Sequence, residues 1–374
     1  MSSRPPRRVR LAVIFGGRSA EHEVSVVSAR SVLGALDADR YEVVTIGIDR
    51  DGVWHRLPAL PAPGPAGALP SVGEEEGLEV ALSRRPGERA LVAEDGSRAE
   101  VDVVFPILHG PFGEDGTVQG LLELAGIPYV GSGVLASAVG MDKAVQKVLF
   151  AAAGLPVARH EVIHEHEWAD DPAVVEARAL ALGLPLFVKP AALGSSVGIT
   201  KVKRPGELAA AIEEAFAYGP KAVVELGLEG AREIECAVLG NDDPVASLPG
   251  EIVPAAEFYD YAAKYLAEDT RLEVPAKLPP EVVREVQRMA VAAFRAIDAA
   301  GMARVDFFYR EPDGLTVNEI NTIPGFTPVS MYPSMWEASG LPYPALIDRL
   351  VELALERHER ERRRGRPRDL PPAP

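Results

Sequence analysis

Residues 302–325, MARVDFFYREPDGLTVNEINTIPG, contain two alternating runs, 303–310 and 315–322, separated by Glu311, Pro312, Asp313 and Gly314. A four-residue link ending in Asp-Gly between such runs signals a β-hairpin. Pairing Arg310 with Leu315 predicts Asp306 opposite Glu319 and Arg304 opposite Asn321. One face then carries two carboxylates, an amide and a guanidinium, while Val305, Phe307, Tyr309 and Ile320 form the buried face. Facing carboxylates repel unless something positive sits between them. Asp306, Glu319 and Asn321 offer only oxygen, which suits Mg²⁺. That ion keeps several waters and is bound through one or two carboxylates together with nucleotide phosphates. The competing reading is an ordinary solvated strand face.

The rest of the chain narrows the choice. With 374 residues, 47% of them hydrophobic, it divides into two or three domains. The single cysteine, Cys236, excludes a disulfide framework and a cysteine-based zinc site, in keeping with a reducing compartment. No apolar run approaches a membrane span, and the arginine-rich start lacks the apolar segment of a signal peptide, so a soluble, cytoplasmic protein is expected. A net charge of -16 argues against nucleic acid as a partner. An anionic small molecule would need individual cations to hold it.

The apolar run 9–15 ends in Gly16-Gly17 and precedes the amphipathic stretch 21–36. Strand, glycine turn and helix open a doubly wound, mostly parallel α/β domain, whose ligands collect at strand C-terminal ends. The turn is not G-x-G-x-x-G, which removes the fingerprint of a dinucleotide-dependent dehydrogenase. Glu21 at the helix start could hold an ammonium group or simply face the helix dipole. Strands are expected at 42–48, 101–108 and 127–130, with 57–99 as a surface excursion holding at most one hairpin. His109, at the end of 101–108, stands where such sheets bind ligands. A long helix is expected to run to Ala153, with Lys143 inside it.

A second unit, of α+β texture, begins at Leu155. Its strand 184–188 leads to Lys189 and the small-residue loop 191–198, AALGSSVG. Converging backbone N–H groups and a lysine charge suit phosphate, although a plain hairpin turn would read the same way. Strands follow at 221–226 and 232–239. Residues 254–266, PAAEFYDYAAKYL, read as a loop packing over something, as lids do. Helices are expected at 280–298 and 344–360. The predicted organisation is an N-terminal domain over 1–140, a middle unit over 141–240, a C-terminal unit over 241–360 carrying the hairpin and lid, and a disordered tail over 361–374.

Five separated strings carry a resemblance: GGRSAEHEVS at 16–25, HG with GEDGT at 109–117, GSSVG at 194–198, YDY through Lys264-Tyr265, and RVD with NEINTIPG at 304–325. In this order and approximate spacing they resemble the D-alanine–D-alanine ligases of the ATP-grasp superfamily, over nearly the whole chain apart from 57–99 and the tail. The resemblance implies a two-part ATP-grasp fold after the N-terminal domain. It also implies ATP-dependent joining of two D-alanines through a D-alanyl phosphate, for peptidoglycan precursors.

By this likeness Lys143 and Lys189 contact ATP phosphates, with Ser195 and Ser196 in the nucleotide-binding loop. Asp306, Glu319 and Asn321 hold two Mg²⁺ ions, with Mn²⁺ as a substitute. Glu225, with Leu226 beside it, meets the adenine, and Glu233 the ribose, although 228–232 is one residue longer than the family pattern. Glu21 and His109 bind the first D-alanine, and Ser330 with Lys264 binds the second one's carboxylate. Arg304 and the Gly325 N–H stabilise the tetrahedral oxyanion, while Tyr265 closes the lid toward Ser195 and Glu21. Tyrosine at 265 favours dipeptide over depsipeptide, so Tyr265→Phe should raise ester formation in a D-alanine and D-lactate competition. A homodimer is the implied assembly. The alternatives are a D-lactate or other D-amino-acid ligase on the same fold, and a catalytically silent nucleotide-binding regulator, which should lack a metal ligand or Arg304.

Overall fold

The computed structural model describes residues 7–63, 69–73, 77–83, 85, 87–194, 197–253 and 271–364. The expected lid with Lys264 and Tyr265, and the loop serines Ser195 and Ser196, lie outside the described residues.

The first sheet comprises β1 (Val9–Gly16), β2 (Tyr41–Ile48), β3 (Trp54–Arg56), β4 (Leu78–Leu82), β5 (Ala90–Ala93), β6 (Arg98–Glu100) and β7 (Val103–Ile107), in the order β6-β5-β4-β3-β2-β1-β7. Strand β1 pairs in parallel with β2 and β7. Leu11 to Phe15 are wholly buried because helix His22–Ala35 covers one face and helix Thr117–Ala125 the other. The doubly wound arrangement thus holds at the centre of the sheet. The stretch 57–99 departs from expectation: it supplies β4, β5 and most of β6, an antiparallel extension of that sheet. The strand expected at 127–130 reduces to one bridge between Val104 and Tyr129.

The second sheet is antiparallel, with β8 (His160–His164), β9 (Leu186–Pro190), β10 (Thr200–Val202) and β11 (Lys221–Leu226) in the order β10-β9-β11-β8. Leu186, Val188, Ala222 and Val224 pack against helices Pro172–Leu180 and Leu208–Phe216. Strand alternation therefore turns Lys189 and Glu225 to the opposite face.

The third sheet is also antiparallel. It comprises β12 (Arg232–Gly240), β13 (Val245–Ala246), β14 (Gly250–Val253), β15 (Arg271–Glu273), β16 (Gly301–Arg310) and β17 (Gly314–Asn321). Pairing with β16 places residues 232–240 in this sheet rather than in the middle one. Helix Pro280–Ala296 packs against its apolar face, including Val305, Phe307, Tyr309 and Ile320. The last helix, Tyr343–Arg364, lays Leu346, Leu350 and Val351 into the same core as Leu11, Val13 and Phe105, so the two ends of the chain share one core. It continues through 361–364, where the tail was expected; residues 365–374 lie outside the described residues.

Candidate active site

The hairpin forms, but its register differs near the turn. Arg310 pairs with Gly314 and Tyr309 with Leu315, one residue off the predicted pairing. A bulge between Asp306 and Phe307 takes up one extra residue, Asn318, on β17. Beyond it Asp306 stands opposite Glu319 and Arg304 opposite Asn321, as the sequence predicts. The buried positions Leu315, Val317 and Ile320 record the bulge, because their spacing changes from two to three at Asn318. That irregularity was the available signal.

Across β16, Glu235 on β12 is opposite Asp306, so three carboxylates stand in one row over three strands. Arg304 holds the row together. Its Nε and Nη2 donate to Asp306 Oδ1 and Oδ2 at 2.7 and 2.6 Å, and Nε lies 3.1 Å from Glu235. Burial works against the guanidinium's charge, but Asp306 and Glu235 outweigh it and raise its pKa well above the ordinary arginine value. Glu235 was missed by sequence reasoning, although its two-residue spacing from Glu233 on a strand puts both on this face.

Lys143 is not inside a long helix. The expected helix breaks at Asp142, whose side chain accepts from the N–H groups of Ala144 and Val145 and caps helix Lys143–Ala152. Lys143 is therefore a first-turn residue. Its N–H donates to Ala191 O at 2.8 Å, and its Nζ donates to Leu193 O at 2.7 Å and lies 3.2 Å from Glu319.

Below it, Lys189 donates to Glu225 at 2.7 Å and to Asn318 Oδ1 at 3.3 Å. Glu225 is 3% exposed and also pairs with Lys147 at 2.6 Å. Burial opposes its ionisation, but Lys189 and Lys147 together prevail and hold the carboxyl down at about 2. The same carboxylate raises Lys189 against the cost of burial. Glu225 thus serves first as a counter-ion to two lysines. The Leu226 N–H donates to Arg159 O at 2.9 Å. The extra residue before Glu233 falls in a turn where the Ala231 N–H reaches Leu228 O, with Gly230 at φ +74°.

On the other side of the cleft, Glu21 lies at the start of helix His22–Ala35. A Cβ added to Gly194 would lie 3.5 Å from Glu21 Oε2, and one added to Gly110 3.6 Å from it, so this carboxylate adjoins both glycine loops. His109 is buried, with Nδ1 3.2 Å from Ile323 O and Nε2 3.5 Å from Ser28 Oγ. Ser330 Oγ accepts from the Thr327 N–H at 3.1 Å and would lie 3.3 Å from a Cβ at Gly325. Lys143, Gly194, Arg304, Glu319 and Asn321, drawn from three separate parts of the chain, line one cleft.

No group of three or more His, Cys, Asp or Glu side chains among the described residues could hold a metal unaided. Two facing carboxylates with Asn321 instead fit an ion whose coordination is completed by water and by phosphates, which the neighbouring lysines would hold.

The chain has counterparts among known proteins. Residues 10–132 match the family model described as the N-terminus of D-ala D-ala ligase, and residues 149–352 the model of its C-terminus. A D-alanine–D-alanine ligase from Kocuria rhizophila is 51% identical over 365 residues, covering 93% of this chain and 94% of that relative. One from Geobacillus thermodenitrificans is 48% identical over 358 residues, covering 94% and 97%. The solved D-alanine-D-alanine ligase of Coxiella burnetii superposes with a TM-score of 0.84 at 39% identity, covering 95% of this chain and 96% of that one. A D-Ala:D-Ser ligase from Enterococcus faecalis superposes with a TM-score of 0.82 at 35% identity, covering 93% and 100%. With both halves matched in sequence and the whole matched in space, the chain belongs to the D-alanine–D-alanine ligase family.

Proposed function

We propose that this protein uses ATP to phosphorylate the carboxylate of one D-alanine and then joins the product to the amine of a second. The observation that carries this reading is the gathering of Lys143, Arg304, Glu319 and Asn321 in one cleft, with Lys189 and Asp306 immediately behind. Phosphoryl transfer requires positioning and charge neutralisation more than covalent help. Lys143 and Lys189 take the phosphates. Asp306, Glu319 and Asn321 hold Mg²⁺, or Mn²⁺, which when bound neutralises phosphate charge. Glu225, Leu226 and Glu233 border the nucleoside, Glu225 acting through Lys189.

Glu21, with His109, fixes the first D-alanine's ammonium. The second amine attacks the acyl carbon and loses a proton, and the bond from that carbon to the phosphate oxygen breaks. Arg304 and the Gly325 N–H receive the oxyanion of the tetrahedral stage. Ser330 and Lys264 take the second carboxylate, and Tyr265 with the Ser195–Ser196 loop keeps water from the acyl phosphate.

Domains over 1–140, 141–231 and 232–360, the second boundary moved from 240 because residues 232–240 pair into the third sheet, together with a homodimeric state and a cytoplasmic location, complete the reading. No helix among the described residues is long and apolar enough to cross a membrane. A second reading changes only the nucleophile, since a relative of this fold is a D-Ala:D-Ser ligase. A phosphate-release assay with ATP, Mg²⁺ and a panel of D- and L-amino acids and D-lactate, with products identified by mass, tests both. Release that depends on D-alanine and yields its dipeptide supports the first; D-serine or D-lactate products in excess support the second; release with none of them refutes both.

A further inference from the structure

Helix Lys143–Ala152 presents two lysines one turn apart, and residues four apart share a helix face. Each ties the second sheet's side of the cleft to the hairpin. Lys143 joins Leu193 O to Glu319. Lys147, 1% exposed, joins Glu225 on β11, at 2.6 Å, to the carbonyl of Asn318 on β17, at 3.1 Å. The bulge makes the second tie, because Asn318 is the residue it inserts and the same residue's Oδ1 accepts from Lys189. Gln146 adds a parallel strut by accepting the Ile320 N–H at 3.0 Å. A lysine amine buried this deeply, with both contacts on groups that hold Lys189, is an expensive way to fill core volume.

We infer that Lys147 is a positioning residue for the nucleotide: it locks Glu225 and the Asn318 bulge into one frame, and so sets where Lys189 and Glu319 stand. It touches neither substrate. The inference rests on the nucleotide-binding reading above and adds a residue to it. Lys147→Met should fold, because Lys189 and Glu225 remain a balanced pair. Its affinity for ADP, measured by calorimetry with Mg²⁺, should fall about tenfold, the equivalent of one charge-assisted hydrogen bond. Its KM for ATP should rise in parallel, with the KM for D-alanine unchanged.

If Lys147→Met does not fold, Lys147→Gln, whose amide can still donate, serves in the same assays and should retain an intermediate affinity. ADP affinity within twofold of the parent in a folded variant would overturn the inference. So would equal losses for both substrates that track a lowered melting temperature. Should the parent protein itself fail to bind ADP, the nucleotide reading fails instead, and the two failures are told apart by that control.

Discussion

Arg304 grips Asp306 through a two-pronged contact, Nε and Nη2 on the two carboxylate oxygens at 2.7 and 2.6 Å, while Glu235 steadies Nε from the neighbouring strand. A planar guanidinium can make such a fork and an ammonium cannot. Arg304→Lys should therefore keep the charge but misplace it, lowering kcat about 10²- to 10³-fold. The KM values for ATP and D-alanine should change little. Steady-state kinetics separate the two effects, and a loss confined to KM would remove Arg304 from the oxyanion role.

Glu225 links pH to stability. Its carboxyl is held at about 2 in the folded protein, below the ordinary 4.5, so on acidification the unfolded chain takes the proton first. The stabilisation is complete above about pH 4.5 and is lost as pH falls toward about 2. Glu225→Gln leaves two buried lysines without their counter-charge and should cost about 3–5 kcal/mol at pH 7 in urea unfolding. Its acid limb should also be flatter than the parent's over the same interval.

Glu21 adjoins both Gly110 and Gly194, where the first substrate's ammonium is proposed to sit. Glu21→Gln should raise the KM for D-alanine about tenfold or more, the loss of one charged contact, with ADP binding unchanged. A parallel loss of ADP affinity would place Glu21 on the nucleotide side.

The facing pair Asp306 and Glu319 predicts a metal effect visible without turnover. Parent protein should bind ADP more tightly with Mg²⁺ than after chelation. Asp306→Asn combined with Glu319→Gln should abolish that difference in calorimetric titrations. Retention of the full difference would exclude the pair as metal ligands.

Much of this site was legible in the sequence because strand alternation assigns faces locally. That Arg304 shares a face with Asp306, and Glu319 with Asn321, followed from that rule alone. The turn register did not, since a bulge is decided by packing, and only the spacing of Leu315, Val317 and Ile320 marks it. The break before Lys143 had a local sign, an Asp at a helix start, which an unbroken apolar pattern in 134–153 obscured. Lys147 had none, because a lysine in a helix ordinarily points to water and its partners lie 78 or more residues away in the chain. The three strands from 78–100 were hidden by weak alternation, and nearby Val72 donates its N–H to His22 Nε2 at 3.0 Å. The supposed excursion is thereby fastened to the glycine turn, whose Gly17 O lies 2.8 Å from His22 Nδ1.

In the proposed reaction ATP activates the carboxylate of D-alanine. Supplying D-alanine labelled with ¹⁸O in its carboxylate, with ATP and Mg²⁺, and weighing the released phosphate tests it directly. Passage through an acyl phosphate carries one labelled oxygen into each phosphate as dipeptide accumulates. Unlabelled phosphate alongside dipeptide would contradict the account.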